Sequence, residues 1–570
     1  MAQPTVPTAR RDFLISLSPS QLQTKQRAMR SPENPVVTAG FGRAITMPSL
    51  AALTLNRAGF GHAAGDIAAF EALGADDQAR LTAWVDQQLA PDLIDDSACD
   101  ERIANGVYVT HEKTAAQLWS EHYRNDVWAE VVRPGLEAIS LKFLRAMYSK
   151  RQLKEVLVDF WHNHFSIYWE AGASWSMLMQ YDRDCIRPNV LGSFRTMLGA
   201  ITKSPSMMFY LNQVESSQDG PNENFARELL ELHTLGAEHY YGTMAPEDVP
   251  GYPNPVGYVE EDVFALTKAL TGWTIRYRWW DDDFGDTGEF FTYQPWHNTE
   301  AKQLLGQPIA AGQTALAEGE AILDMLAAHP ATATFIARKL CRRLVADFPP
   351  ETLVQSTAQV FLANLNAADQ LAQVVRHILL SAEFSNTWGA KIKRPFGVAV
   401  SALRAAGCTH TFQTRQQTDD WTDTFFWLFS FTGHNPHEWH PPNGYPDFAP
   451  VWRSTSSLVM RWRVLAWLAD DEDNGLELLP IYADTLATGL RSPNAIVDYW
   501  IGRIFGYTLS AETRDTLVAF LAQGRNPAYN MTFDPIDWQA DPQDWDLVRL
   551  WDRVRSLVGL MFMTPEFQLK

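Results

Sequence analysis

Residues 153–165 read LKEVLVDFWHNHF, and the spacing of their apolar side chains indicates the fold class. Leu153, Val156, Leu157, Phe160, Trp161 and His164 follow one another at i, i+3, i+4, i+7, i+8 and i+11. This is the period of an α-helix, whereas a half-buried strand alternates at every second residue. The segment therefore predicts a helix that buries one continuous stripe, with His164 on its inward side.

The same helical period extends outward from this segment through most of the chain. It dominates over residues 51–235 and returns over 314–406, and the sequence has no long block of alternating strand residues. Long loops rich in Pro, Gly and aromatic residues interrupt it at 242–257, 277–293 and 433–452. We therefore predict a mainly α, multi-helix globular protein with long irregular loops and little or no β-sheet.

The chain of 570 residues is longer than a single hydrophobic core usually supports, so more than one packed part is expected. Residues 1–48 are polar and rich in Pro, Ser and Gln, which is typical of a poorly packed leader or an arm laid over the body. We predict a helical body over residues 49–570, with candidate subdomains 49–240, 241–410 and 411–570 divided at the loops.

Composition and missing motifs exclude several classes of protein. Asp and Glu number 67 against 47 Lys and Arg, and the resulting net charge of -20 argues against nucleic acid as a partner. No apolar run reaches the roughly 18 residues that a membrane-spanning helix needs. The sequence also lacks the GxSxG, P-loop, Rossmann and HExxH motifs, which removes most support for the corresponding enzymes.

Six motifs occur in an order that resembles one known family. They are NRAGFG at 56–61, FWHNHF at 160–165, NENFARELLEL at 222–232, KRP at 393–395, PPNGYP at 441–446 and PEF at 565–567. The series resembles the bacterial DUF1800 family of unknown function and extends over the chain from about Ala51 onward. The resemblance implies a helical fold, frequent export from the cytoplasm and frequent genetic pairing with a sulfatase-like family, DUF1501. It implies no particular reaction.

The motif at 222–232 contains four charged residues that could form a site, and Asn222 is placed to cap a helix there. At about 100° per residue, Glu223, Arg227, Glu228 and Glu231 share an arc of about 140°. Carboxylates gathered on one face can bind a divalent cation, or raise the pKa of one carboxyl group for proton transfer. The alternative is a surface ladder of i, i+4 ion pairs through Glu223, Arg227 and Glu231, and the sequence leaves both open.

Four histidines in or near the motifs are predicted to have different roles. His164 continues the buried stripe and is the candidate acid, base or ligand, whereas His162 points about 200° away from it. His233 falls on the apolar side of its helix and is predicted to be a core or subsite histidine. His297 lies in a block where the family usually has His-Asp, but here Asn298 replaces the acid.

These observations define the candidate site. The candidate catalytic residues are Glu228, Glu231, His164, Glu223, Arg227 and His297. The candidate metal ligands are Glu228, Glu231, His164 and His297, with a second group in His434, His437 and His440. The second group lies in a Pro-containing loop, where a surface turn without a bound ion is the commoner structure. The acidic stretch 281–286 offers oxygen ligands for calcium but lacks the full calcium-loop pattern. A divalent metal is therefore a candidate cofactor of undetermined identity.

Two functional classes fit the sequence. The first is an enzyme that acts on a polymer or glycan through the carboxylate and histidine site, with metal assistance as an option. The second is a non-catalytic partner or scaffold for a companion protein such as the sulfatase-like DUF1501 protein.

Localisation also has two interpretations. Arg10 and Arg11 resemble the start of a twin-arginine export signal, but the apolar stretch that such a signal needs does not follow them. The default expectation is therefore a cytoplasmic protein, and the alternative is a periplasmic or secreted one, as is frequent in the family that the chain resembles.

Overall fold

The computed structural model describes residues 46–277, 285–412, 420–470, 472–473, 476–531 and 545–570. The leader expected over residues 1–48 therefore lies outside the described residues except for its last three. Arg10, Arg11 and residues 281–284 of the acidic stretch also lie outside them.

The helix predicted from the apolar stripe is present as Gln152–His164, and helices dominate the described chain. In chain order they are α1 Leu50–Arg57, α2 Asp66–Glu71, α3 Asp77–Gln88, α4 Ser97–Ala104, α5 Ala115–Leu118, α6 Trp128–Tyr148, α7 Gln152–His164, α8 Ser174–Gln180, α9 Phe194–Thr202, α10 Pro205–Tyr210, α11 Glu223–Glu228, α12 Glu260–Ala269, α13 Ala315–Ala328, α14 Pro330–Leu344, α15 Glu351–Ala363, α16 Gln370–Leu379, α17 Ala382–Asn386, α18 Pro395–Ala406, α19 Asp420–Ser430, α20 Ala449–Trp452, α21 Thr455–Asp470, α22 Ile481–Ala487, α23 Pro493–Phe505, α24 Ala511–Ala522, α25 Trp545–Met563 and α26 Pro565–Gln568. The prediction of a mainly α fold is confirmed.

Strands are short and pair only locally. β1 Trp273–Ile275 pairs antiparallel with β2 Phe290–Thr292, β3 Lys302–Leu304 with β4 Gln307–Ile309, and β5 Glu472–Asp473 with β6 Leu476–Glu477. Leu305 and Gly306 both have positive φ, at 51° and 71°, as the tight two-residue turn between β3 and β4 requires. Each sheet in the described residues has two strands, so helix packing supplies the core.

Apolar side chains from distant parts of the chain share one core. The ring of Phe143 on α6 contacts Phe396 on α18 and Phe425 on α19, with centroids 4.7 and 5.3 Å apart. The guanidinium of Arg57 on α1 donates to the carbonyl of Phe384 on α17 at 2.9 Å. Residues 46–570 group into one unit, and the division into three subdomains stays a prediction.

Within the described residues, no helix is both long enough and apolar enough to cross a membrane. All four cysteines belong to this part of the chain and are buried as free thiols. Cys341 is buried on α14.

The motif at 441–446 contacts the motif at 160–165 at the C-terminal half of α7. The side chain of Asn163 holds the loop 433–448, because its Oδ1 accepts the N–H of Tyr445 at 2.8 Å and its Nδ2 donates to the carbonyl of Tyr445 at 2.9 Å. Gly444, at φ 69°, permits this approach, since a Cβ there would collide with the carbonyl oxygen of Asn163.

The KRP motif at 393–395 enters α18 beside residues 568–570. The N–H of Lys393 donates to the carbonyl of Gln568 at 2.8 Å, while the side chain of Arg394 reaches Asp159 on α7. The motifs at 160–165, 393–395, 441–446 and 565–567 are therefore neighbours in space although they are far apart in sequence.

Candidate functional site

His162 and His164 face different surroundings, as predicted, and His162 forms a buried pair with Asp182. Nε2 of His162 lies 2.7 Å from Oδ1 of Asp182, whose Oδ2 accepts a hydrogen bond from Nε of Arg187 at 2.6 Å. Burial alone would raise the pKa of Asp182, but Arg187 and His162 hold it well below its usual range. An ionised Asp182 only accepts hydrogen bonds, so Nε2 of His162 carries the proton.

The other nitrogen of His162 is left free by this pairing. Nδ1 is buried and has no hydrogen-bond partner among the described residues. Burial lowers the pKa of His162, so the ring is neutral near pH 7 and Nδ1 presents a lone pair. The arrangement supplies a base that is held in one tautomer by a carboxylate.

His162 lines a small cavity, which we call the histidine cavity. Its volume is about 20 Å³, and its wall includes Lys142, Asp159, His162, Arg394, His434 and His437. A second cavity of about 20 Å³, which we call the cation cavity, shares Asp159, Arg394 and His434 with it and adds Arg343, Lys393, Ser401 and Lys570. The two cavities therefore have a common wall at Asp159 and Arg394.

Asp159 is the carboxylate around which the basic side chains gather. Its Oδ1 lies 2.9 Å from Nζ of Lys142, and its Oδ2 accepts hydrogen bonds from Arg343, at 2.9 Å, and from Arg394. Burial would raise the pKa of Asp159, but Lys142, Arg394 and Arg343 hold it well below its usual range. We call these four residues the Asp159 cluster.

The expectation of a surface turn for the histidine-rich loop is wrong for His434. This side chain is buried, and its Nδ1 accepts the N–H of Phe396 at 3.2 Å. The ring of His437 packs edge-on against His162, with centroids 4.7 Å apart, and His440 is exposed. Across the described part of the chain, no group of three or more His, Cys, Asp or Glu side chains is placed to hold a metal ion.

The acidic helix forms as predicted at its start. Asn222 caps α11 by accepting the N–H of Asn224 at 2.8 Å. Arg227 pairs with Glu223 at 2.6 Å and with Glu260 of α12 at 2.6 Å. An ion-pair ladder therefore exists on this face, but Glu260 occupies the place predicted for Glu231.

The reason is a change of helix type after Glu228. Residues Leu229–His233 form a wider π turn, which takes more residues per turn than an α-helix. A spacing of about 100° per residue therefore no longer positions Glu231.

Glu228 and Glu231 lie near a tyrosine that sequence reasoning did not single out. Glu228 is buried and Glu231 is half-buried. Burial, followed by the charge of Glu231 and a smaller effect of Glu228, raises the pKa of Tyr258. The hydroxyl of Tyr258 is buried and has no hydrogen-bond partner among the described residues.

His164 is engaged at both ring nitrogens by a different set of residues. Its Nδ1 lies 2.8 Å from Nζ of Lys339, and its Nε2 lies 3.1 Å from the carbonyl oxygen of His233. Burial and the charge of Lys339 keep the pKa of His164 well below its usual range. His233 is buried in the same place, and burial lowers its pKa to about 3, as fits a core histidine.

His297 belongs to a third buried group. Its Nε2 lies 3.2 Å from Glu318 and its Nδ1 lies 3.0 Å from the carbonyl oxygen of Thr271. Lys302 pairs with the same Glu318 at 2.9 Å. Glu318 on α13 thus provides the carboxylate that Asn298 does not, and both nitrogens of His297 are used.

Sequence reasoning missed Asp159, Asp182, Arg343, Lys393 and Arg394. One local signal could have found Asp159, because it precedes His162 by three residues and so shares a helix face with it. The KRP motif was visible, but nothing in its local pattern assigns a chemical role to its two cations.

A comparison with protein-family models matches residues 53–569 to the family described as protein of unknown function, DUF1800. Searches of the curated proteins and of the solved structures gave no match. The chemistry of the site must therefore be argued from its own residues.

Proposed function

This chain belongs to the DUF1800 family, and from that premise we propose that it is an enzyme whose reaction centre is the histidine cavity. In this proposal His162 is the general base and Asp182 is its positioning residue. The carboxylate and histidine chemistry expected from the sequence is kept, but its centre moves from Glu228, Glu231 and His164 to His162 and Asp182.

The free Nδ1 of His162 carries the proposal. A buried imidazole nitrogen without a partner among the described residues costs free energy, so its position beside the histidine cavity needs a reason. Proton transfer from a water or a hydroxyl group to Nδ1 supplies that reason, because a carboxylate on the opposite nitrogen stabilises the imidazolium that forms. Asp182, which Arg187 keeps ionised, is placed to do this.

The basic side chains of the histidine cavity are placed to stabilise negative charge that forms during the reaction. Lys142 and Arg394 line the same wall as His162, and Asp159 fixes them there. Proton removal from a nucleophile creates negative charge on the reacting group, and fixed cations in a water-poor site stabilise such charge strongly. The reaction class that fits is a base-assisted attack or elimination that passes through an anionic transition state.

A polymer or glycan remains the proposed substrate. Trp439 and Tyr445 line the histidine cavity, with ring centroids 4.9 Å apart, and such rings can stack on the apolar faces of sugars. A cavity of about 20 Å³ admits one small substituent. The body of a larger substrate would therefore lie outside it, against the aromatic residues.

The test is to replace His162 by glutamine. The amide introduced by His162→Gln keeps a donor for Asp182 but lacks a basic nitrogen, so turnover should fall by about 10²-fold or more. Wild type and variant would be assayed against a panel of polysaccharides and polymer esters. His440→Gln, at an exposed histidine of the neighbouring loop, is the matched control and should change turnover less than about twofold.

Two results would contradict the enzyme proposal. One is full activity of His162→Gln with an unchanged melting temperature. The other is a wild-type protein that turns over nothing in the panel.

The carboxylates of the acidic helix form a second proposed centre. Glu228 and Glu231 lie near the hydroxyl of Tyr258, which has no hydrogen-bond partner in the described part of the chain, and this fits a proton-transfer group or a metal ligand. Glu223, Arg227, His164 and His297 join other partners, so their proposed role is to support the fold around these centres.

A scaffold role is the second candidate function, and exposed aromatic residues on and next to α19 favour it. Trp427 and Phe431 are 54% and 49% exposed, and their rings contact each other at 5.1 Å. Contiguous exposed apolar groups are typical of a protein interface. Co-elution with a purified DUF1501 protein, lost in a Trp427→Ser and Phe431→Ser double variant, would support this role.

A further inference from the structure

The wall of the cation cavity carries more positive than negative charge. It contains two arginines and two lysines, namely Arg343, Arg394, Lys393 and Lys570, and one carboxylate side chain, Asp159. Burial and the neighbouring cations hold the pKa of Lys570 well below its usual range, so the two arginines carry the lasting positive charge. Asp159 is also shared with Lys142 from the neighbouring cavity. One carboxylate therefore faces several buried cations, although the chain as a whole is strongly acidic.

The carboxylates nearest to this wall offset only part of its positive charge. Asp347 and Asp447 both pair with Lys391, at 2.7 and 3.3 Å, so the three groups together add one net negative charge. Buried charges without enough countercharge are costly, and an arginine, which stays protonated, is relieved of that cost only by a partner of opposite sign.

Three buried polar groups on the wall have no partner among the described residues. They are Nε of Arg343, Nε of Arg394 and Oγ of Ser401, and each side chain is more than nine-tenths buried. All three residues line the cation cavity, and all three atoms can donate a hydrogen bond. A ligand with several acceptor oxygens would satisfy them.

Lys393 points to the same kind of ligand. It is buried, no acceptor contacts its ammonium group among the described residues, and its Nζ lies 4.4 Å from the ring centre of Phe567. Burial lowers the pKa of Lys393 to about 7, as expected for an ammonium group without a countercharge.

The backbone at the start of α18 adds partial positive charge to the wall of the cation cavity. Helix α18 begins at Pro395, and Gly397 in its first turn lines the cavity. The first turn of a helix carries partial positive charge and favours anions.

We propose that the cation cavity binds an oxyanion, a phosphate, sulfate or carboxylate group, through an oxygen that enters its volume of about 20 Å³ and is held by Arg343, Lys393, Arg394 and Ser401. This goes beyond the catalytic role of His162 and does not require it. Because the two cavities share Asp159 and Arg394, an anionic substituent bound here would place the adjoining part of its carrier beside His162.

The experiment measures the binding of simple ions to the full chain. Sodium phosphate, sodium sulfate and sodium acetate would be titrated into the protein at a pH of about 6.5, below the pKa of Lys393, and at constant ionic strength, with sodium chloride as reference. We expect saturable one-to-one binding of at least one oxyanion by calorimetry, together with a raised melting temperature. The ion that binds most tightly identifies the group.

Two variants and a control connect this binding to the cavity. Lys393→Met keeps a similar length without charge and should weaken binding by at least about tenfold. Without added oxyanion it should be no less stable than wild type, because an uncompensated charge is removed. Ser401→Ala removes one donor and should weaken binding by about tenfold. Lys268→Met, at an exposed lysine paired with Glu300, is the matched control and should bind like wild type.

Dextran sulfate and unmodified dextran distinguish a polymer-borne group from a free ion. Tighter binding of dextran sulfate than of inorganic sulfate supports a polymer source, and the reverse supports a free ion.

Equal stabilisation of the protein by chloride and by the oxyanions would overturn the proposed oxyanion site. Unchanged binding by both Lys393→Met and Ser401→Ala would do the same. His162→Gln should bind the ion like wild type. A wrong assignment of His162 as the base would therefore leave ion binding intact, whereas a wrong oxyanion site would leave the effect of His162→Gln on turnover intact.

Discussion

Acidic and basic side chains meet in two regions of this molecule that differ in their access to water. In the ladder on α11, Glu223 is 44% exposed and Arg227 is 27% exposed. In the Asp159 cluster, Asp159 and Arg394 are each 5% exposed and Arg343 is 6% exposed. Water screens the first set of charges but not the second. Similar pairs therefore stabilise weakly at the surface, whereas in the interior each charge depends on its partners.

The largest effect is expected when the interior cluster loses its carboxylate. Asp159→Asn would leave Lys142, Arg343 and Arg394 buried without their shared countercharge, and should lower the free energy of unfolding by about 3–5 kcal/mol. Urea denaturation at neutral pH measures this change. A loss below about 1 kcal/mol would show that water reaches the cluster and that the contrast with α11 is false.

A smaller loss of stability is expected at acidic pH, because His62 is buried near Lys393 and must become protonated. Burial, followed by the charge of Lys393, lowers the pKa of His62 from its ordinary 6.5 to about 4. The unfolded chain takes up a proton near pH 6.5, but the folded chain does so only near pH 4. Stability is therefore lost as pH falls through this window, by about 3 kcal/mol for this group.

Denaturation curves at several pH values between about 7 and 4 test this expectation. His62→Gln should show a shallower loss of stability than wild type over that range. An identical pH profile in the two proteins would mean that His62 titrates in the folded state near its usual pKa.

The smallest effect is expected at the surface ladder. Glu223→Gln removes one i, i+4 ion pair and should change the free energy of unfolding by only about 0.3–0.5 kcal/mol. The difference should shrink further in about 1 M salt, where the screening length is about 3 Å. A salt-independent decrease of more than about 2 kcal/mol in the free energy of unfolding would mean that the ladder, like the Asp159 cluster, is not screened by water.

The features that were predicted correctly from the sequence depend on neighbours within a few residues. The stripe from Leu153 to His164 predicted α7, Asn222 was expected to cap α11, and the pairing of Glu223 with Arg227 was one of the two alternatives for that helix. In each case the partner is on the same helix, so the spacing alone fixes the contact.

The predictions that needed correction depend on distant segments or on a local departure from α geometry. Glu260 from α12, and not Glu231, completes the ladder, and the π turn after Glu228 changes the positions that follow it. His297 finds its carboxylate in Glu318, which lies on α13. The sequence contains each of these residues, but their pairing follows from how the helices pack.

The helical class, helix α7 and the family could all be read from the amino-acid sequence, because periodicity and motifs are properties of short segments. Which charges meet was settled only by the packing of the folded chain. Arg343 and Arg394 reach Asp159 from 184 and 235 positions away, and Asp182 reaches His162 from 20. Such contacts depend on how whole helices pack around a shared core. The spacing of residues within one helix does not determine that packing.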